Sequence, residues 1–196
     1  MPITLVQQGL IAQNDFAKFL MIGGGGRIEI AAPLTDDERR DGEIHERGRY
    51  DYSIAAQFKS ARRLQLKRGA RTRSLSIRVQ VRANRVVNHP RYWYFIGQLD
   101  LKLMGLADPV FVIPSTVFHK QAAAGRVGEF AWFVFSASVG PNSKDQWQPY
   151  RVETHQLGRR VLDIMSDLRK SDSRQRRLTL APLPSVPDAL WLRKAA

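Results

Sequence analysis

The sequence predicts an α/β (α+β) fold with a central mixed β-sheet flanked by helices, followed by a proline-rich C-terminal tail. Three observations lead there. A helix-period apolar stripe lies near each end of the globular region, over residues 4–22 and 153–169. Between the stripes run short segments with strand alternation. Two of these, Tyr92–Leu101 and Val110–Ile113, are apolar almost throughout, as strands covered on both faces are.

In order, residues 4–22 place Val6, Leu10, Ala17, Leu20 and Met21 near one helical stripe, with Phe16 beside it. Gly23-Gly24-Gly25-Gly26 ends that helix. A phosphate-cradling loop would need Lys-Ser/Thr and a helix after the glycines, and a strand pattern, Arg27–Ala32, follows instead. Pro33–Arg40 reads as an acidic loop containing Asp36, Asp37 and Glu38. Gly42–Glu46 and Tyr52–Lys59 read as strands joined through Arg47-Gly48-Arg49, and Ser76–Val81 as another with Ile77, Val79 and Val81 on one face. Pro114 breaks the strand before it, and Phe130–Ser138 reads as the final strand, leading into a polar loop. In the closing helix Leu157, Val161, Ile164, Met165 and Leu168 recur at core-facing intervals. The organisation expected is one domain, 1–170, and a basic tail, 171–196, carrying Pro182, Pro184 and Pro187, with Trp191 suited to docking. No internal repeat is present.

The chain has 196 residues, enough for a real core, and its 25% charged residues suit a globular protein. The balance of charge is unusual: Lys plus Arg number 31 against 18 acids, a net +13. Such a chain is drawn to polyanions. Cysteine is absent, which excludes disulfides, thiolate metal sites and a cysteine nucleophile. No apolar run reaches membrane-spanning length and the first residues lack a secretory pattern, so no membrane partner and a cytoplasmic location are expected.

The candidate chemistry lies between Asp41 and Lys59. Gln57 and Lys59 are two apart on one strand and share a face. With Asp41 opening the preceding strand, a carboxylate, an amide oxygen and an ammonium can converge at one end of the sheet. Phosphodiester hydrolysis brings two negatively charged groups together, and a divalent cation screens them. Asp41 and Gln57 are the expected metal ligands for Mg²⁺ (or Mn²⁺), helped by the Phe58 carbonyl or by Glu43, and Lys59 the stabiliser of charge on phosphate. Beside them is a basic run. Tyr52 to Leu99 holds no acid, and Lys59 to Arg85 holds ten basic residues. Arg62, Arg63, Lys67, Arg68, Arg71 and Arg73 are the expected nucleic-acid contacts, since guanidinium forks suit phosphate oxygens.

His45, His89, His119 and His155 are too scattered for a metal set, although His45 lies near Asp41 and could act as a base, and His119-Lys120 could approach phosphate. A structural role is preferred for each. Trp93, Tyr94, Trp132 and Phe133 read as core and sheet packing in preference to base-stacking platforms.

From about residue 8 to residue 168 the chain resembles the PD-(D/E)xK (restriction-endonuclease-like) nuclease superfamily, in the bacterial branch where Q-x-K replaces E-x-K. G-L-I-A-Q-N-D-F-A-K-F-L resembles its first helix and P-L-T-D-D-E-R-R-D-G-E-I its Asp-bearing hairpin. A-A-Q-F-K-S resembles the Q-x-K strand, and Y-W-Y-F-I-G-Q-L-D and P-V-F-V-I-P-S the later strands. The resemblance implies a mixed sheet flanked by helices, Asp41 in the metal-ligand place, and Mg²⁺-dependent cleavage of nucleic acid, DNA ahead of RNA. Two positions depart from the pattern: Gln13 stands where the first helix often carries Glu, and Arg39-Arg40 replaces a small glycine turn. Two other readings stand beside cleavage. One is a nucleic-acid-binding module of the same fold, the other a structural partner in a defence or repair complex, as a homodimer or with another protein.

Overall fold

The computed structural model describes residues 3–32, 40–66 and 72–179. Asp36, Asp37, Glu38, Arg39, Lys67, Arg68 and Arg71 lie outside the described residues, as do the tail prolines and Trp191. Among the described residues no helix is long and apolar enough to cross a membrane.

Helix α1 (Leu5–Gly23) opens on a capping box. The Gln7 N–H donates to Thr4 Oγ1 at 3.2 Å and the Thr4 N–H to Gln7 Oε1 at 2.8 Å, satisfying two otherwise orphaned donors. The stripe it buries differs from the expected one. Gln8, Ala12, Asp15, Phe16 and Leu20 face inward, whereas Val6, Leu10 and Met21 are exposed. Polar residues can take the inward places because the core supplies partners. Gln8 donates to the Ser60 carbonyl at 2.8 Å, and the Leu106 N–H donates to Asp15 at 2.9 Å.

The main sheet has six strands in the order β1-β2-β3-β5-β6-β9. These are β1 (Ile28–Ala31), β2 (Gly42–Glu46), β3 (Arg49–Ala61), β5 (Tyr92–Asp100), β6 (Gly105–Pro114) and β9 (Arg151–Val152). The β3–β5 pair is parallel and every other neighbour antiparallel, so the sheet is mixed as expected. Helices α1 and α3 (Leu157–Thr179) cover one face. Phe16, Phe58 and Phe95 meet there, ring centroids 5.2–6.1 Å apart.

Ser76–Val81 does not join that sheet. It lies in β4 (Ser74–Arg82), which forms a separate three-stranded sheet, β4-β8-β7, with β7 (Ala123–Val127) and β8 (Phe130–Ser138). The expected central mixed sheet is thus accompanied by a second, smaller one. Leu75, Ile77, Val79, Phe133 and Phe135 point from the small sheet onto Tyr94, Ile96, Phe111 and Ile113 of the large one. Burying both apolar faces against each other builds a second core, which explains why the inner stretches of β5 and β6 are apolar on both sides.

Phe130–Ser138 is followed by β9, so it is not the last strand. The polar loop after it hides a core residue, Trp147, whose ring packs 5.0 Å from Phe135. Pro114 caps a short helix, α2 (Ser115–Gln121), and the closing helix runs to Thr179 instead of ending near residue 169.

Candidate functional site

Asp41 stands at the mouth of the β2–β3 ladder. Gly42 pairs with Ala56, and continuing that register by one sets Asp41 beside Gln57. The Asp41 N–H donates to the Ala56 carbonyl at 2.9 Å, and its carboxylate Oδ2 accepts the Phe58 N–H at 2.7 Å. The side chain is therefore clasped to the main chain of β3 between Gln57 and Lys59. Lys59 Nζ lies 3.6 Å from the same Oδ2, with the side chains 29% and 31% exposed. Gln13 of α1 donates from Nε2 to the Asp41 carbonyl at 2.9 Å, fixing the turn from the helix side.

The alternation of β3 explains the direction these groups take. Tyr52, Ile54, Ala56 and Phe58 are buried toward the helices. Gln57 and Lys59 project from the opposite face, in register with Tyr94 and Ile96 of β5. They form a polar margin to the core between the sheets, so the site is dry on one side and open on the other.

Several neighbours do not converge here. Glu43 shares the face of Asp41, but its carboxylate accepts the Ser53 hydroxyl at 2.5 Å and pairs with Arg40 at 3.2 Å. His45 pairs across the ladder with Ser53, about 13 Å along the strand from Asp41 by the usual rise per residue. His119 does not reach toward a phosphate. It is held on α2 with Nε2 3.1 Å from the Tyr94 hydroxyl and its ring 4.6 Å from that of Phe133. Burial holds the His119 imidazole below its ordinary pKa and raises the Tyr94 phenol above its own. Among the described residues no group of three or more His, Cys, Asp or Glu side chains could hold a metal.

In the basic run, Arg63 and Arg73 are exposed, while Arg62 donates from Nη1 to the Ile3 carbonyl at 3.2 Å. Arg78 and Arg82 also face solvent from β4. Of the aromatics expected inside, Trp93, Tyr94 and Phe133 are buried, but Trp132 lies half-exposed on the outer face of the small sheet. Strict alternation through F-A-W-F-V-F-S-A-S was the available signal: Phe133 and Phe135 inward require Trp132 outward.

No protein-family model matches this chain, and no curated protein matches it. Among solved structures it is similar to a bacterial homing endonuclease, I-Ssp6803I, at 16% identity and a TM-score of 0.49, over 86% of this chain and 98% of that one.

Proposed function

We infer that this chain is a metal-assisted hydrolase of phosphodiester bonds in nucleic acid, DNA ahead of RNA, acting through Asp41, Gln57 and Lys59. The observation that carries the reading is the Asp41–Lys59 pair, a carboxylate oxygen and an ammonium 3.6 Å apart at an open margin of the sheet. Structural ion pairs are common, but this one sits beside Gln57, and the chain carries a net +13.

The donor set fits a hard cation. Asp41 offers carboxylate oxygens and Gln57 an amide carbonyl oxygen, hard donors that suit Mg²⁺ or Mn²⁺ retaining several waters. Such an ion, when bound, supplies screening of the phosphate charge and a more acidic water. The protein's own part is positioning. The Phe58 N–H and the Gln13 amide hold Asp41, and Asp41 holds Lys59 within reach of a phosphate oxygen. The Lys59 ammonium then meets charge that grows on that oxygen as the bond to the attacking water forms. Arg63 and Arg73 add exposed positive charge that attracts a polyanion.

The test is a cleavage assay on single- and double-stranded DNA and RNA with Mg²⁺, with Mn²⁺ and with chelator. Cleavage that needs the ion and vanishes in Asp41→Ala is expected. Undiminished cutting in that variant, or in chelator, overturns the mechanism. Binding without cleavage of any substrate favours the module reading, in which the basic surface holds nucleic acid and the neutral Gln57 leaves the ion too weakly held.

A further inference from the structure

The small sheet has an outer face that takes no part in the hydrolysis proposed above. It points away from the six-stranded sheet, because Val79, Val81 and Phe133 use the inner side. On the edge strand β4, Arg78 and Arg82 face outward and are exposed. The ladder sets Arg78 opposite Val134 and Arg82 opposite Phe130, with Trp132 between these on the central strand. Both Phe130 and Trp132 are half-exposed.

An outward sheet face in contact with water is ordinarily polar. This one carries two aromatic rings flanked by arginines. The indole of Trp132 lies across Gly125 of β7, where a Cβ would stand 2.1 Å from the ring. Only glycine leaves room for the ring to fold down onto the sheet. The Arg78 guanidinium lies over the same indole, 5.1 Å from its centroid. No acidic side chain stands on this face among the described residues; Glu129, 3.9 Å from Arg82, is in the turn at its rim.

We propose that this face binds single-stranded nucleic acid, with an unpaired base stacking on the Trp132–Arg78 layer and Arg78 and Arg82 meeting the flanking phosphates. The arginines call for a polyanion, and the flat indole–guanidinium layer calls for a polyanion with exposed planar rings. A duplex hides the faces of its bases in its own stack, whereas a single strand presents them. The surface is separate from the Asp41 margin, so it would hold a strand whether or not the chain cuts it.

The test uses the full chain carrying Asp41→Ala, in chelator, so that cleavage cannot enter the readout. Fluorescence anisotropy is measured with labelled oligo(dT), oligo(rU) and a duplex DNA of equal length. Trp132→Ala should weaken single-strand binding about five- to a hundred-fold, the range for losing one stacked base, and leave duplex binding unchanged. Trp132→Phe should keep most of the affinity, which separates loss of stacking from loss of folding. Arg78→Ala and Arg82→Ala should each flatten the salt dependence by about 0.7 in slope. Comparison of the two oligonucleotides tells whether the strand is DNA or RNA. Wild-type single-strand affinity in Trp132→Ala, or an equal loss for single strand and duplex, overturns the proposal. Failure of the cleavage assay leaves it standing.

Discussion

Gln13 and Asp41 are joined by a 2.9 Å hydrogen bond from the Gln13 amide to the Asp41 main-chain carbonyl. The bond ties α1 to the turn that aims the Asp41 carboxylate, so the polar residue on the first helix faces the backbone of the candidate site. Gln13→Leu should cost about 1 kcal/mol for the lost bond. That corresponds to a fall in Tm of about 2–4 °C for a domain of this size. Where cleavage is detected, its rate should fall in this variant while DNA affinity holds, as expected for a positioning residue. Calorimetry with parallel cleavage and anisotropy measurements checks this.

Lys59 and Gln57 should separate by their effects. Lys59→Ala removes the ammonium paired with Asp41 Oδ2 and should slow cleavage about 100-fold or more. Gln57→Glu adds a carboxylate beside Asp41 and should lower the Mg²⁺ concentration needed for half-maximal cutting. A metal titration of cleavage rate for both variants decides; an unchanged requirement in Gln57→Glu would remove Gln57 from the ligand set.

The exposed arginines of the basic run should act through charge alone. Arg63→Ala and Arg73→Ala should each reduce the slope of log affinity for duplex DNA against log salt by about 0.9, one phosphate contact. Arg62→Ala should change the slope less, since Arg62 is engaged with the Ile3 carbonyl. Salt titrations of the three variants measure the difference.

Glu46 gives the fold an acid-sensitive point. Its buried carboxylate is bonded to Arg27 at 2.5 Å and Arg169 at 2.6 Å, and Arg49 lies at 3.4 Å. The Arg27 bond holds it below the usual carboxylate range, against the opposing pull of burial, and Arg169 and Arg49 add to the depression. The folded value is lower than the unfolded one. The stabilisation is therefore complete above about pH 4.3 and is lost as pH falls through the lower folded value. Glu46→Gln should lose about 1.5–3 kcal/mol at neutral pH. Below pH 4 the gap to wild type should narrow, as denaturant melts across pH 2–7 will show.

The crossing of α1 and α3 depends on a missing side chain. A Cβ on Gly158 would stand 2.1 Å from the Gly24 nitrogen and 2.3 Å from the Leu20 carbonyl oxygen, both backbone atoms that cannot swing aside. Gly158→Ala should destabilise by about 1–3 kcal/mol, through helices forced apart. Gly9→Ala, with open space at its Cβ, should stabilise α1 by about 0.5–1 kcal/mol. Thermal melts of the pair give opposite signs if the packing is as described.

Much of the local structure was legible in the residues. Alternation alone put Gln57 and Lys59 on one face of a strand, and the apolar runs marked β5 and β6 as covered on both sides. The buried stripe of α1 departs from the expected one because hydrophobicity ranks Val6 and Leu10 above Gln8 and Asp15. The polar pair is accommodated because Ser60 and Leu106, distant in the chain, supply hydrogen bonds to it, with Lys18 adding a local one to Asp15. A periodicity argument cannot see a partner 52 or 91 residues away.

The menu of elements, their faces and the charge could therefore be read from the residues. Each follows from interactions between residues a few positions apart, or from composition alone. Strand pairing, by contrast, emerges only in the folded molecule. β4 leaves its neighbour β3 to join β8, and Asp41 meets Phe58 and Lys59 because the β2–β3 register brings residues 17 and 18 positions apart together. Pairing is chosen by how whole apolar faces bury against one another, a sum over both cores that no local window contains. The same burial turned Phe133 inward and left Trp132 outside, folded over Gly125.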